Sequence, residues 1–314
     1  MGENASKIGA KLEKWGSNLF SDFRWIEIAR DVEIKCSRKS THHKDTHGID
    51  LLCSFSDPYS AMVQGVIVEC KNRQMRSINQ TEVNKWIEEL QKSIECSHAA
   101  PELQKYMSDD LEISTGLLLI HANEGFDSDK MQKYMRSAIL KTKRTKMSIY
   151  VATNQHIDMW QSLLQYIKGI PGAFSFVYPS ISGSVICEKP QITLNYLFSS
   201  FLFAEAITQE ERTADNGLPI TQPVRTRIMF CLCKPSIPTF QYMWSMFKSF
   251  QFGGSTDNKY CFTFYPHTES DVAFISNNFI KSISSGIEHP LRQEDQHKVE
   301  ICFLTNRHLS PVDN

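Results

Sequence analysis

Asp50, Glu69 and Lys71 are the side chains whose types and placement could do chemistry together. Glu69 and Lys71 sit two apart in the run Val66-Ile67-Val68-Glu69-Cys70-Lys71, and in an extended chain residues two apart share a face. Asp50 follows Gly48-Ile49 at the head of a second apolar run, Leu51-Leu52-Cys53, so pairing the two runs sets two carboxylates side by side. Two carboxylates make a hard oxygen site of the kind Mg²⁺ prefers, with coordination positions left for waters and a phosphate. Such an ion lowers the pKa of a bound water and polarises a phosphoryl oxygen. A lysine beside it can orient that water or offset charge building on phosphorus. The chemistry indicated is hydrolysis of a phosphodiester. The competing reading makes Asp50 and Glu69 ordinary surface acids with Lys71 as an ion-pair partner. Their place at the ends of apolar strands weighs against it, because charges there are costly without a reason.

The elements that must position these residues follow from patterning. Residues 6–20 carry Ile8, Leu12, Trp15, Leu19 and Phe20 at helical spacing. Residues 25–29 and 32–34 read as one strand or two, and 35–47 as a polar loop. Residues 48–55 and 64–71 read as hairpin strands around the turn signal Ser56-Asp57-Pro58. A helix is predicted over 79–98, with Val83, Trp86, Ile87, Leu90 and Ile94 on one face. Residues 115–122 and 147–153 are continuous apolar runs fit for buried strands, with helices over 127–141 and onward through 167. This is a mixed α/β layer with its own core, closed by the linker Gly169-Ile170-Pro171-Gly172, which divides the chain into domains 1–170 and 171–314. In the second domain, short strands at 174–178 and 185–187 precede an apolar segment at 194–207 and a polar loop at 209–221. A β-α-β-α-β run to residue 304 then predicts an α+β sandwich of ferredoxin-like type.

Gly48-Ile49-Asp50 followed by Val66-Ile67-Val68-Glu69-Cys70-Lys71 resembles the PD-(D/E)xK phosphodiesterases, the restriction-endonuclease-like superfamily. The order of elements over residues 6–165, including the helix before the first strand, carries the resemblance further. It implies Asp50, Glu69 and the backbone carbonyl of Cys70 as metal ligands, Lys71 as the catalytic cation, and Mg²⁺ as cofactor with Mn²⁺ as substitute. In many members the first helix adds a glutamate to the metal site, and Glu13 occupies that place here. Ile49 replaces the proline of a literal Pro-Asp, and no Gln-x₃-Tyr follows the core. The resemblance implies a DNA endonuclease acting on double-stranded DNA. A nuclease core with an appended domain looks like the nuclease subunits of prokaryotic anti-phage defence complexes. Two alternatives stand beside it: a Holliday-junction-resolvase-like enzyme, and a non-catalytic nucleic-acid-binding or scaffold subunit with a nuclease-like fold.

Composition narrows the function classes. The 34 Lys and Arg against 35 Asp and Glu give a net charge of −1, so a generally basic protein that coats nucleic acid is excluded and any phosphate-binding surface is local. Near the triplet the chain does turn basic, with Lys35, Arg38, Lys39 and Lys44 before Asp50 and Arg73 and Arg76 after Lys71. Lys39, Lys44, Arg73 and Arg76 are the candidate nucleic-acid contacts. A further run, Lys141, Lys143, Arg144 and Lys146, is read first as helix C-terminal charge and second as a DNA contact. The nine scattered cysteines and the absence of a signal-peptide core point to a reducing, cytoplasmic setting without a membrane span. His42, His43 and His47, flanked by Cys36 and Cys53, raise a zinc reading that no CxxC-type spacing supports, and they are taken as loop residues. Residues 173–314 hold 11 Lys and Arg against 13 Asp and Glu. They also hold Met229, Phe240, Tyr242, Met243, Trp244, Met246 and Phe247, an enrichment that predicts self-association or a partner subunit.

Overall fold

The opening helix α1 (Gly2–Asp22) turns Leu12, Leu19 and Phe20 into a core, and the chain leaves it through Arg24 in the left-handed region at φ 68°. The structure, a computed structural model, describes residues 2–60, 62–141, 146–179, 185–186, 191–213, 217–250, 259–285 and 290–307. Strand β1 (Ile26–Lys35) carries a register shift between Glu27 and Ala29 and a second left-handed residue, Asp31, at φ 50°. A one-turn helix α2 (Lys39–His42) interrupts the stretch expected as plain loop, before β2 (Thr46–Ser56) and β3 (Val63–Gln74). Helix α3 (Gln80–Ser97) starts where the Asn79 side chain accepts from the Glu82 N–H, satisfying one of the free first-turn donors. Then follow α4 (Pro101–Gln104), β4 (Leu111–Glu124), α5 (Ser128–Arg136), β5 (Ser148–Ala152) and α6 (Asn154–Gly169).

The five strands stand in the order β1-β2-β3-β4-β5. The first three pair antiparallel, and β3, β4 and β5 pair parallel. Val66, Ile67 and Val68 on β3 and Leu117 to Ile120 on β4 are fully buried, as strands covered on both faces must be. A Cβ at Gly16 of α1 would touch Leu51 and Leu119, whereas one at Gly116 would meet Leu90 and Ile94 of α3. Side chains alternate along β4, so α1 and α3 lie on opposite faces of the sheet.

The chain divides into two compact units, the second spanning Met159–Arg307, so the division falls inside α6 and ahead of the Gly169–Gly172 linker signal. The second unit contains β6 (Ala173–Pro179), β7 (Val185–Ile186), α7 (Leu194–Leu197), β8 (Phe201–Thr213), β9 (Pro219–Cys231), α8 (Ile237–Ser249), β10 (Lys259–Phe264), α9 (Glu269–Ser284) and β11 (Val299–Phe303). Its six strands run in the order β11-β10-β9-β8-β6-β7. The unit is α+β, but not ferredoxin-like. Each helical crossover returns the chain to the start of the adjacent strand, so β9, β10 and β11 are consecutive and parallel, with an antiparallel meander of β6, β8 and β9 beside them.

Two further expectations need correction. Residues 209–221 are not a plain loop: β8 continues to Thr213 and β9 begins at Pro219, paired from Gln209↔Pro223 to Thr213↔Pro219. Glu211 and residues 217–221 are exposed, so this ribbon lacks the apolar alternation that marks a half-buried strand. The aromatic and methionine enrichment is internal. Met229, Phe240, Met243, Trp244 and Phe247 are buried in the unit's own core with Phe262, Phe264 and Phe279, and Met246 packs against it. Tyr242 alone of the expected set is exposed, at 60%. Among the described residues, no helix is long and apolar enough to cross a membrane.

Candidate active site

The β2–β3 ladder ends at Leu51↔Val68, and Asp50 and Glu69 are the next residues on the two strands, where the backbone pairing stops. Asp50 Oδ2 accepts the backbone N–H of Cys70 at 2.7 Å, which ties the carboxylate across the gap. Lys71 Nζ donates to Glu69 Oε1, as the alternation of β3 predicts for residues two apart. Both ends of that pair are largely shielded from water, with side-chain exposures of 20% for Lys71 and 14% for Glu69. Helix α1 brings Glu13, half-buried, within electrostatic reach of Asp50, Glu69 and Lys71. Four of the residues singled out for the site are thus gathered by one strand pair, and the fifth by the helix above it.

The electrostatics of the group are those of crowded carboxylates. Burial pushes the Asp50 carboxyl up, against the Cys70 N–H and Lys71, which favour its charged form. Burial and then the Asp50 charge push Glu69 up, with Lys71 opposing. Burial raises Glu13 too, followed by Asp50, Asp31 and Glu69. Burial holds the Cys70 thiol far above the ordinary thiol range, which disfavours the thiolate a metal ligand or nucleophile would need. Lys71 is the cation common to all three carboxylates, which leaves negative charge in excess. This donor set fits a hard divalent cation, which would relieve the repulsion that raises the three groups. Asp31, placed by its left-handed turn on β1, adds to the same field and was not foreseen, because nothing in its sequence neighbourhood marks it.

The candidate phosphate contacts separate into two kinds. Lys39 is paired with Asp45 at 2.7 Å and Lys44 with Glu89, so both charges are already answered locally. Arg73 and Arg76 are exposed just beyond Lys71, and Arg76 Nε donates to Gln74 Oε1 at 2.8 Å. Neither arginine is in an ion pair among the described residues. In the later basic run, Lys141 pairs with Glu88 at 2.7 Å, and α5 has already ended at Arg136, so the run is not that helix's C-terminal turn. Lys143 and Arg144 lie outside the described residues. The reading of the histidines as loop residues also needs correction: His42 and His47 are 3% exposed and meet Cys36 and Cys96.

A five-stranded mixed sheet flanked by helices, with Asp50, Glu69 and Lys71 at the point where β2 and β3 part, is the arrangement that the PD-(D/E)xK resemblance implies. Residues 1–156 accordingly match the family model described as the GAPS4 protein PD-(D/E)XK nuclease domain. No curated protein matches the chain.

Proposed function

We propose that the protein is a Mg²⁺-dependent endonuclease of double-stranded DNA, with Mn²⁺ as a substitute ion, working as a regulated subunit of a prokaryotic anti-phage defence complex. The observation that carries the reading is the convergence of Asp50, Glu69 and Lys71 at the end of the β2–β3 ladder, locked by the Cys70 N–H on Asp50. Asp50, Glu69, Glu13 and the Cys70 carbonyl are the residues that would hold the ion. When bound, the ion supplies an activated water and a polarised phosphoryl oxygen. Lys71 has two duties: it holds Glu69 in place through its ion pair, and its ammonium faces the site to orient the attacking water and offset charge on the phosphate. Arg73 and Arg76, exposed at the end of the same strand, are placed to grip flanking phosphates. The family match supports the defence setting, and regulation through a partner or a second copy is the role proposed for the second unit.

The test is a substrate and ion panel on the full chain. Supercoiled plasmid, single-stranded DNA and RNA are incubated with Mg²⁺, Mn²⁺ or Ca²⁺. Duplex DNA should be cut with Mg²⁺ and Mn²⁺, and Ca²⁺ should support little turnover because it is larger and activates water poorly. Faster cutting of RNA than of duplex DNA would overturn the substrate assignment. Cutting with no divalent ion added would overturn the mechanism.

A further inference from the structure

Away from the carboxylate site, Cys36 at the end of the β1 segment, His42 in α2, His47 on β2 and Cys96 near the end of α3 turn toward one point. All four are buried, and their nearest ligand atoms lie within 4.8 Å of one another. A zinc tetrahedron with bonds of about 2.3 Å to sulfur and 2.0–2.1 Å to nitrogen has edges of roughly 3.8 Å between sulfurs, 3.3 Å between nitrogens and 3.5 Å between unlike atoms. The separations here are 3.8 Å for Cys36 Sγ to Cys96 Sγ and 3.3 Å for His42 Nδ1 to His47 Nε2. From His42 Nδ1 to Cys36 Sγ and Cys96 Sγ they are 3.4 and 3.5 Å.

Hydrogen bonding alone does not account for this packing. His42 Nε2 faces Glu95 Oε2 at 3.2 Å, and a carboxylate there fixes the ring proton on Nε2. His42 Nδ1 is then left with one lone pair, yet three groups approach it within 3.5 Å. One lone pair cannot answer three neighbours, whereas a shared cation at the centre answers all four ligands at once. Glu95 is in turn held by Arg38 at 2.8 Å, so the outer shell of the cluster is charge-balanced. Two thiolates and two neutral imidazoles around a divalent ion also sum to zero charge, which is what a buried site requires.

We infer that Cys36, His42, His47 and Cys96 form a closed structural zinc site that staples the β1–β2 connection to the end of α3. Four protein ligands leave no open position, so the site is structural and separate from the phosphodiesterase chemistry. Its binding releases the two thiol protons and holds in place the segment from which β2 runs on to Asp50, three residues past His47.

The test is elemental analysis of the full chain purified under reducing conditions without chelator. Wild type should carry one zinc per chain, and Asp50→Ala and Cys53→Ser should carry the same amount. Cys96→Ser and His42→Ala should lose it, and Cys36→His, which keeps four ligands, should retain it. Cobalt substitution should give the intense visible bands and thiolate charge-transfer band of a tetrahedral S₂N₂ site in wild type and not in Cys96→Ser. A wild-type chain that contains no zinc and takes up neither Zn²⁺ nor Co²⁺ would overturn the assignment. Zinc that is lost with Asp50→Ala but kept with Cys96→Ser would overturn it equally.

Discussion

Asp50 is held by two opposing influences: burial favours its neutral form, and the Cys70 N–H and Lys71 favour its charge. Its folded pKa lies above the ordinary value of 3.8, and that of Glu69 above 4.5, so the folded protein binds these protons more tightly than the unfolded chain. The sign follows. Stability from this pair is greatest below the ordinary carboxylate range and is lost as pH rises through the raised folded values. At neutral pH without added Mg²⁺ the site is therefore strained by charge. Asp50→Asn keeps an oxygen for the Cys70 N–H and removes the charge, so it should stabilise the Mg²⁺-free protein by on the order of 1 kcal/mol, or a few degrees in Tm. Adding Mg²⁺ should raise the Tm of wild type and leave that of Asp50→Asn unchanged, as scanning calorimetry at pH 7 would read. A wild-type Tm indifferent to Mg²⁺ would argue against an ion on these carboxylates. The triplet was legible in the sequence because β2 and β3 are neighbours in the chain and strand alternation places Glu69 with Lys71. The Cys36, His42, His47 and Cys96 cluster was legible only in part: Cys36, His42 and His47 raise a zinc reading in the sequence, but the fourth residue, Cys96, lies 49 residues beyond His47. No short spacing records such a site; only the packing of α3 against the sheet brings Cys96 to it.

Helix α3 packs on β4, and its end supplies Glu95 and Cys96 to the cysteine–histidine cluster. The close approach depends on Gly116, where an added Cβ would stand 2.8 Å from Leu90 Cγ and 2.9 Å from Ile94 Cδ1. Gly116→Val should therefore push α3 outward and destabilise the protein by about 1–3 kcal/mol, as overpacking in a close-packed core does. Denaturant titration would measure it. Gly16→Ala, whose Cβ would meet Leu119 at an ordinary 3.4 Å, is the contrasting case and should be neutral or slightly stabilising because it improves a helix interior. The buried helices and strands of this unit were readable because their apolar periodicity coincides with burial, as at Val83, Trp86, Ile87, Leu90 and Ile94. The β8–β9 ribbon escapes sequence patterning for the converse reason. Its outer residues pair backbone to backbone while their side chains stay in water, so hydrophobic patterning carries no trace of them.

At the scale of the whole molecule, charge is unevenly useful. The chain is near neutral overall, and the exposed Arg73 and Arg76 beside the active site are its local surplus. Counterion release then predicts that Arg73→Ala and Arg76→Ala each lower the slope of log affinity for duplex DNA against log salt by about 1. Arg225→Ala in the second unit, where Arg225 stands 3.6 Å from Glu205, should leave the slope unchanged. Fluorescence anisotropy with labelled duplex, titrated in salt, separates the two. A slope that falls with Arg225→Ala and not with Arg73→Ala would move the DNA-binding surface to the second unit. That unit's aromatic residues, once seen as core, no longer argue for a partner surface. Its exposed large apolar side chains among the described residues are Leu218 and Ile220 on the β8–β9 ribbon, Ile237 and Tyr242 on α8, and Val272 and Phe274 on α9.

The central claim is that Asp50, Glu69 and Lys71 act as one phosphodiester-cleaving site. The measurement closest to it is the rate at which the full chain nicks or linearises supercoiled plasmid in Mg²⁺, compared with Glu69→Gln and Lys71→Arg. Glu69→Gln removes a charged ligand while preserving shape, and Lys71→Arg replaces a compact ammonium with a wide planar guanidinium unsuited to the same position. Both should cut at roughly a hundredth of the wild-type rate or less, since each removes a group acting at the reacting phosphate. Their zinc content should stay at the wild-type level. Cleavage by Glu69→Gln at the wild-type rate would contradict the account.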